Sequence, residues 1–464
     1  MNLELENTIV AISSGLKNAA IGVIRISGST AIDLLRKVFI PFNKNFREFE
    51  SHRAYFGKLM KNNEFIDEVV VIVYRAPKSY TGEDVVEINC HGNLILMQKI
   101  VNMFLEMGCR LAKPGEFTLR AVLNKKIDLS KAFAIRDVIE ANTEKMLSLS
   151  LKNLQGQLSS IINSIKERLI YWIGWVEALF DFPEEDIPSV NFEDLKQDVF
   201  KMIQDIEKVI SSFDASKFLR EGIDTVIVGK PNVGKSTLFN YLYGQERVII
   251  SDIPGTTRDI ISEYINLDGV LVKLYDTAGF RKTSDLIEKI GIEKAKEIIA
   301  KAKLVFWVLE YDSLDDDDFE AIKNAPNFSK VIIVINKIDK ENEFQKIKEF
   351  EEKIIKVAKE KLNGNDFGVV SCSLKTNFNL ETLKEKIHRL MGINDDVILI
   401  DTYQYEILKK VLFYLRRLLD DFHMSQEIVA VNLREALASI LELMGENISD
   451  VVIDNMLSRF CIGK

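Results

Sequence analysis

Cysteine is scarce in this chain: four in 464 residues, at positions 90, 109, 372 and 461, with no CxxC or zinc-type spacing. That pattern excludes a paired-thiol or zinc-ribbon site and argues for free thiols in a reducing compartment, with the cytoplasm as the expected location. Long apolar runs are also missing. The richest stretch, "LIYWIGWVEALFDF", is interrupted by Glu177, and none reaches the roughly 18 to 20 residues that span a bilayer, so no membrane partner is expected. The opening "MNLELENTIV" has acids where a secretory leader would be basic, so no leader is expected either. An excess of basic charge is lacking: 61 Lys and Arg against 70 Asp and Glu leave a net charge of −9. Any nucleic acid must therefore be held by a local patch. Cys461, in the closing "FCIGK", has the placement of a prenylation box, but Gly463 is not aliphatic, Lys464 is not a usual last residue and no polybasic run precedes it. A reactive thiol on a positioned tail and a buried structural cysteine are the readings left.

What is present fits a soluble protein of about three domains with sizeable cores, since 47% of residues are hydrophobic and 28% charged. Residues 1–125 mix β-type runs, "AAIGVIRISG" and "DEVVVIVYR", with helical "LILMQKIVNMFLEMG", which predicts an α+β domain. Residues 126–218 carry helical spacing in "NTEKMLSLSLKNLQGQLSSIINSIKERLIYWIGWVEALF" and "NFEDLKQDVFKMIQDIEKVISSF", parted by a break at Pro183 to Pro188. Within 219–383 the runs "IDTVIVG", "VLVKLY", "LVFWVLE", "KVIIVIN" and "FGVVSC" lack polar alternation and have helical stretches between several of them. Strands buried on both faces predict a mostly parallel, doubly wound sheet. Helical texture returns over 384–464, so the α/β unit is expected to be inserted into one discontinuous all-α domain whose halves pair. The acidic run "DDDD" at 315–318 is expected to be a solvated loop.

"GKPNVGKST", 229–237, fits G-x-x-x-x-G-K-[ST] between the strand "TVIV" and the helical "STLFNYLYG". Gly229 and Gly234 allow close backbone approach, so the N–H groups from Asn232 and Val233 to Thr237 can surround phosphates. Lys235 supplies a cation to the β and γ phosphates and Ser236 a hydroxyl for magnesium. In "NKID", 336–339, Asp339 can accept two hydrogen bonds from the guanine N1–H and 2-amino group, while Asn336 and Lys337 hold the base and the loop. "DTAG", Asp276, Thr277, Ala278 and Gly279, offers a carboxylate for a magnesium-bound water and an N–H for the γ-phosphate; Thr257 in "GTTRD" is the expected switch threonine on magnesium. "SCSLK" supplies Ser373, Leu374 and Lys375 as the last base-contacting loop, with leucine where alanine is commoner. The ordered set predicts a Ras-like GTPase binding GTP and GDP. Phe280 stands where Ras-type enzymes place a water-orienting glutamine, so that duty passes to another group, the acids of "RKTSDLIEKIG" being nearest. Missing cationic chemistry could come from a metal ion placed where an arginine finger acts. The adjacent Cys90 and His91 of "NCHG" suggest thiol catalysis, but neighbours on a strand point to opposite faces.

Over essentially its full length the chain resembles the MnmE (TrmE) family of tRNA-modification GTPases. "SYTGEDVVEINCHG", "KPGEFTLRA", "NKKIDLSKA", "GTTRD", "DTAGFRKTSDLIEKIGIEKA" and "FCIGK" carry the likeness. The resemblance implies a homodimer joined through an α+β folate-binding amino-terminal domain, and a heterotetramer with the flavoprotein MnmG (GidA), which would carry the FAD because no dinucleotide fingerprint appears here. It implies a potassium ion held by Asn232, Ser251, Ile253 and Thr256, with Glu288 as catalytic acid; a salt bridge on the following helix is the other reading of Glu288. It places 5-formyl- or 5,10-methylene-tetrahydrofolate against Arg25, Glu87, Lys126 and Lys464, and makes Cys461 a functional thiol for tRNA wobble-uridine modification. The rival class, a ribosome-assembly or signalling switch, shares "GxPNVGKS" and "NKxD" but needs neither a folate site nor a terminal cysteine.

Overall fold

A computed structural model describes residues 6–181, 192–244, 246–247, 262–275, 300–322, 326, 329–362, 365–420, 426–446 and 463. The chain divides into two compact units, one of Met1–Arg136, Leu158–Ser189 and Arg417–Lys464, the other of Asp137–Gln157 and Val190–Arg416.

The first unit is built on a seven-stranded sheet with spatial order Phe39–Pro41, Arg53–Lys61, Glu64–Tyr74, Val85–His91, Ile21–Ser27, Ile9–Ile12 and Arg110–Leu111. All neighbours are antiparallel except the last pair. Period-two alternation decides which face is covered. Val69, Val71 and Val73 are buried while Val70 is exposed, and the helices Ala31–Val38 and Leu94–Glu106 pack with the inward face around Ile24, Ile26, Ile88, Ile100 and Phe104. Asn93 starts the second of these helices by accepting from the Ile95 and Leu96 amides, which satisfies two N–H groups the helix itself leaves over.

Beyond that sheet the helix Glu116–Leu123 carries a buried ionic cluster. Glu116, fully buried, binds Arg110 and, at 3.0 Å, Arg120; Arg120 Nη1 also donates to both Glu83 oxygens at 3.0 Å, and Nη2 to the Asn7 carbonyl at 2.8 Å. Burial alone pushes the Glu116 carboxyl up, but bonds from Arg110, the Lys113 amide and Arg120 outweigh it and hold the group below the usual glutamate range.

The second unit holds the doubly wound sheet. Its order is Phe367–Ser371, Lys330–Asn336, Leu304–Glu310, Ile223–Val228, Val270–Tyr275, Ser262–Leu267 and Glu246–Arg247. The first five are parallel and the last two pair antiparallel at one edge. Leu304 to Leu309 are all buried, alternating between one cluster with Phe306 and Val308 and another with Val305 and Trp307. Uninterrupted apolar strands are thus explained by cover on both faces.

The two helical stretches meet. In the second unit Phe213 stacks on Tyr405 with ring centroids 3.9 Å apart, and Arg416 reaches Glu207 at 2.6 Å. In the first, Arg434 bonds Glu177 at 2.6 Å and Lys166 bonds Glu446 at 3.0 Å. The run that reads as continuous from "NTEKM" to "EALF" is two helices, Glu144–Leu154 and Gln157–Asp181, because Gly156 takes φ +103° between them. The acidic run is corrected too: Asp318 is buried and belongs to the helix Asp316–Ile322 rather than to a solvated loop.

Replacing Glu116 by Gln takes the carboxylate from Arg110 and leaves Arg120 with the Glu83 carboxylate alone, and is expected to lower stability by roughly 3 kcal/mol at pH 7, read as thermal or urea unfolding of the full chain. Because the folded-state carboxyl is depressed, its contribution is present above the unfolded value of about 4.3 and disappears as pH falls through the folded value. The variant's stability is therefore expected to fall less steeply than wild type in that acidic range.

Candidate functional site

The phosphate loop of the second unit is shaped by what surrounds it. Gly229, at φ +144°, leaves the strand Ile223–Val228 so close to the next strand that a Cβ would lie 2.4 Å from the Val308 carbonyl. Asn232 is also left-handed, at φ +66°, and is exposed. Gly234, at φ +112°, faces Asn336 so closely that a Cβ would sit 2.2 Å from Nδ2. The helix Lys235–Tyr243 begins at once, without a side-chain cap. Gly234, at the N-cap, has no side chain to cap the first turn of Lys235, Ser236 and Thr237, and the amides of such a turn are the usual seat for an anion. Lys235 Nζ donates to the Lys230 carbonyl.

Asn336 joins three loops. Its Nδ2 donates to the Val233 carbonyl at 2.8 Å and its Oδ1 accepts from the Leu374 amide at 3.0 Å, in a residue only 4% exposed. Asp339 accepts from Ser373 Oγ at 2.7 Å, and that bond, with Lys375 and Lys340 nearby, holds its carboxyl below the usual aspartate range. Lys337 is left-handed, at φ +67°, with Nζ 2.6 Å from Glu310. Leu374 sits in the core while its amide does the bonding, so leucine in place of alanine is accommodated by burial of the side chain. A cavity of about 340 Å³ lies beside these loops, lined by Asp339, Asn342, Phe344, Ser373, Thr376 and Phe378. The exposed rings of Phe344 and Phe378 at its edge had no signal in the motifs. Ser251, Ile253, Thr256, Thr257, Asp276, Thr277, Ala278, Gly279 and Glu288 lie outside the described residues.

In the first unit, Arg25 and Glu87 are register partners on adjacent strands, joined by bonds of 2.6 and 3.0 Å. They line a cavity of about 400 Å³ with Tyr74, Tyr80, Val85 and Ile135. The Arg25 guanidinium lies 5.6 Å from the Tyr80 ring and 5.7 Å from that of Phe117, within cation–π range. Burial raises the Tyr74 and Tyr80 hydroxyls above the usual tyrosine value, with Glu87 adding to the effect at Tyr74, so both remain neutral donors at pH 7. Lys126 is not among the described lining residues; its Nζ donates to the Pro77 carbonyl at 2.9 Å. Cys461 and Lys464 lie outside the described residues, but Gly463 does not. Its carbonyl accepts from Ser13 Oγ at 2.8 Å, and a Cβ on it would come within 2.2 Å of the Ile12 carbonyl. Ile12 ends the strand that pairs Ala11 with Arg25.

Cys90 and His91 diverge as the strand alternation requires. Cys90 is buried, its thiol pushed up to about 11 by burial and by Asp67, whereas the exposed His91 has Nδ1 2.7 Å from Asp67 Oδ1. The pair is not a thiolate–imidazole couple.

A glycine loop between strand and helix, an Asn-Lys-x-Asp loop at the end of a neighbouring parallel strand, and a doubly wound sheet define a P-loop GTPase module. Residues 8–126 match the family described as GTP-binding protein TrmE N-terminus, and residues 129–461 match the MnmE helical domain. The chain is 38% identical over 470 residues to the tRNA modification GTPase MnmE of Carboxydothermus hydrogenoformans, covering 99% of this chain and 100% of that one. It is 40% identical over 471 residues to the one of Aquifex aeolicus, with the same coverage. The chain belongs to the MnmE family.

Gly234→Ala would drive a methyl group into the Asn336 amide and break both of its loop contacts. Calorimetric titration with GTP is expected to show Kd raised by roughly tenfold or more; an unchanged Kd would mean that these contacts do not shape the phosphate loop.

Proposed function

We propose that this protein hydrolyses GTP and, in the cytoplasm with an MnmG-type flavoprotein, couples hydrolysis to adding a carboxymethylaminomethyl-type group at C5 of the wobble uridine of tRNA. The observation that carries this reading is family membership over 99% of the chain, supported by the meeting of the phosphate loop with the loops of Asn336 and Leu374. Asp339, kept ionised and oriented by Ser373, accepts the two guanine donors. Lys235 leaves the Lys230 carbonyl for the β and γ phosphates. Ser236 and Thr257 offer hydroxyl oxygens, a donor type suited to magnesium; Asn232 offers an exposed amide oxygen beside the phosphate loop, which with Ser251, Ile253 and Thr256 suits potassium. Bound there, a monovalent ion supplies the positive charge that an arginine finger supplies elsewhere. Glu288 takes the water-orienting duty that Phe280 cannot perform.

The cavity of the first unit supports a tetrahydrofolate derivative as one-carbon donor. Glu87 suits the amidine-like edge of a pterin and Arg25 a carboxylate, and Tyr74 and Tyr80 provide ring faces. The seat of Gly463 beside the strand that pairs with Arg25 favours delivery of Cys461 and Lys464 to that pocket. Lys126 joins them once its bond to Pro77 is exchanged for the ligand. Exposed Ile40, Phe42, Phe56, Phe65 and Val70 on the same unit favour a homodimer through this domain.

Hydrolysis is expected to be roughly 100-fold faster in potassium than in sodium, and to fall by a similar factor in Glu288→Gln. Equal rates in the two salts would remove the ion from the mechanism. Cys461→Ser is expected to lose the modified wobble uridine, read by nucleoside mass spectrometry of tRNA; retained product would favour a switch GTPase without thiol chemistry.

A further inference from the structure

The acidic stretch that follows the strand Leu304–Glu310 does not behave as a solvated charge run. Asp318 is 1% exposed and its carboxylate lies 2.9 Å from Lys230 Nζ, while Asp315 binds the same ammonium from the solvent side. The Asp315 amide donates to Asp318 Oδ2 at 3.1 Å, which fixes the inner carboxylate. Lys230 is itself part of the phosphate loop, and its carbonyl is the resting partner of Lys235. At the other end of the stretch, Glu310 takes Lys337 at 2.6 Å and Lys340 at 2.5 Å, and the Tyr311 amide donates to the Asn336 carbonyl at 2.8 Å. One continuous segment therefore grips the phosphate loop and the base loop at once, and it does so through partly buried ion pairs.

We propose that Glu310 to Asp318 is a positioning strap for the nucleotide site, setting the rate of nucleotide release through Lys230 on the phosphate side and Lys337 on the base side without touching the nucleotide. This rests on the reading that those two loops hold a guanine nucleotide. The two grips act on different parts of the ligand. Lys230 governs the loop that meets phosphate, so loosening it weakens every nucleoside diphosphate alike. Glu310 governs the loop that carries Asp339, so loosening it blurs recognition of the 2-amino group.

The test is stopped-flow release of a fluorescent GDP from the full chain, with competition by GDP and by IDP, which lacks the 2-amino group. Asp318→Asn and Lys230→Met are each expected to release GDP roughly tenfold faster, and the double variant no faster than either single one. Lys230→Arg is expected to keep most of the wild-type rate, and the preference for GDP over IDP to stay unchanged in all of them. Glu310→Gln is expected to lower that preference by about threefold to tenfold. A loss of fold stability alone would move release and preference together, so parallel changes, additive effects in the double variant, or wild-type release in Asp318→Asn and Lys230→Met would each overturn the strap. Should Asp318→Asn fold poorly, Lys230→Met and Glu310→Gln decide the matter, since both alter side chains that reach solvent. Failure of the wild-type chain to bind guanine nucleotide at all would overturn the nucleotide reading itself, which is a different result.

Discussion

The side-chain amide of Asn336 has one donor and one acceptor engaged by backbone, Val233 on one side and Leu374 on the other. Three segments far apart in sequence are thereby held at fixed separation where the parallel strands end. A buried amide left unbonded would cost about 1–3 kcal/mol, so the loops are fixed by a satisfaction requirement as much as by attraction. The close approach of Gly234 is the steric counterpart of the same contact. Orientation of Asp339 by Ser373 and of Lys337 by Glu310 then builds outward from this joint.

Charge is handled similarly in both units, by networks rather than isolated pairs. In the first, Glu116 lies between two arginines and Arg120 extends the chain of bonds to Glu83 and to backbone. In the second, Lys230 lies between two aspartates and Glu310 between two lysines. Each central group has more than one partner, which is what makes removal of a full charge from water tolerable. The alternating strands of the first sheet leave Arg25 and Glu87 on the face opposite the valine core, where the rings of Tyr80 and Phe117 reach the Arg25 guanidinium.

Local chemistry was the part of this protein most readable in its residues. The phosphate loop needs glycine at fixed positions because backbone and phosphate must approach closely, so its spacing survives as a pattern; the unbroken apolar strands report two-sided burial in the same direct way. Properties that depend on distant partners were not readable. The aspartates at 315–318 resemble a solvated run until Lys230, some 85 positions earlier, is brought beside them by the fold. Tyr74 carries no motif, and its place beside the Arg25–Glu87 pair follows only from strand register, while Tyr80 is brought there by the bend between the strands Glu64–Tyr74 and Val85–His91. The bond of Lys126 to the Pro77 carbonyl likewise depends on a residue 49 positions earlier. The break at Gly156 leaves no mark in the pattern, because helical spacing continues on both sides of it and only the backbone angle records the interruption.

Burial of three of the four thiols has a practical corollary. Cys90 and Cys109 are pushed up to about 11 and Cys372 to about 12, each chiefly by removal from water. At neutral pH all three are protonated and shielded, and alkylating reagents, which attack through the thiolate, react poorly with such groups. A maleimide dye or spin label applied to the native chain is therefore expected to react slowly at Cys90, Cys109 and Cys372.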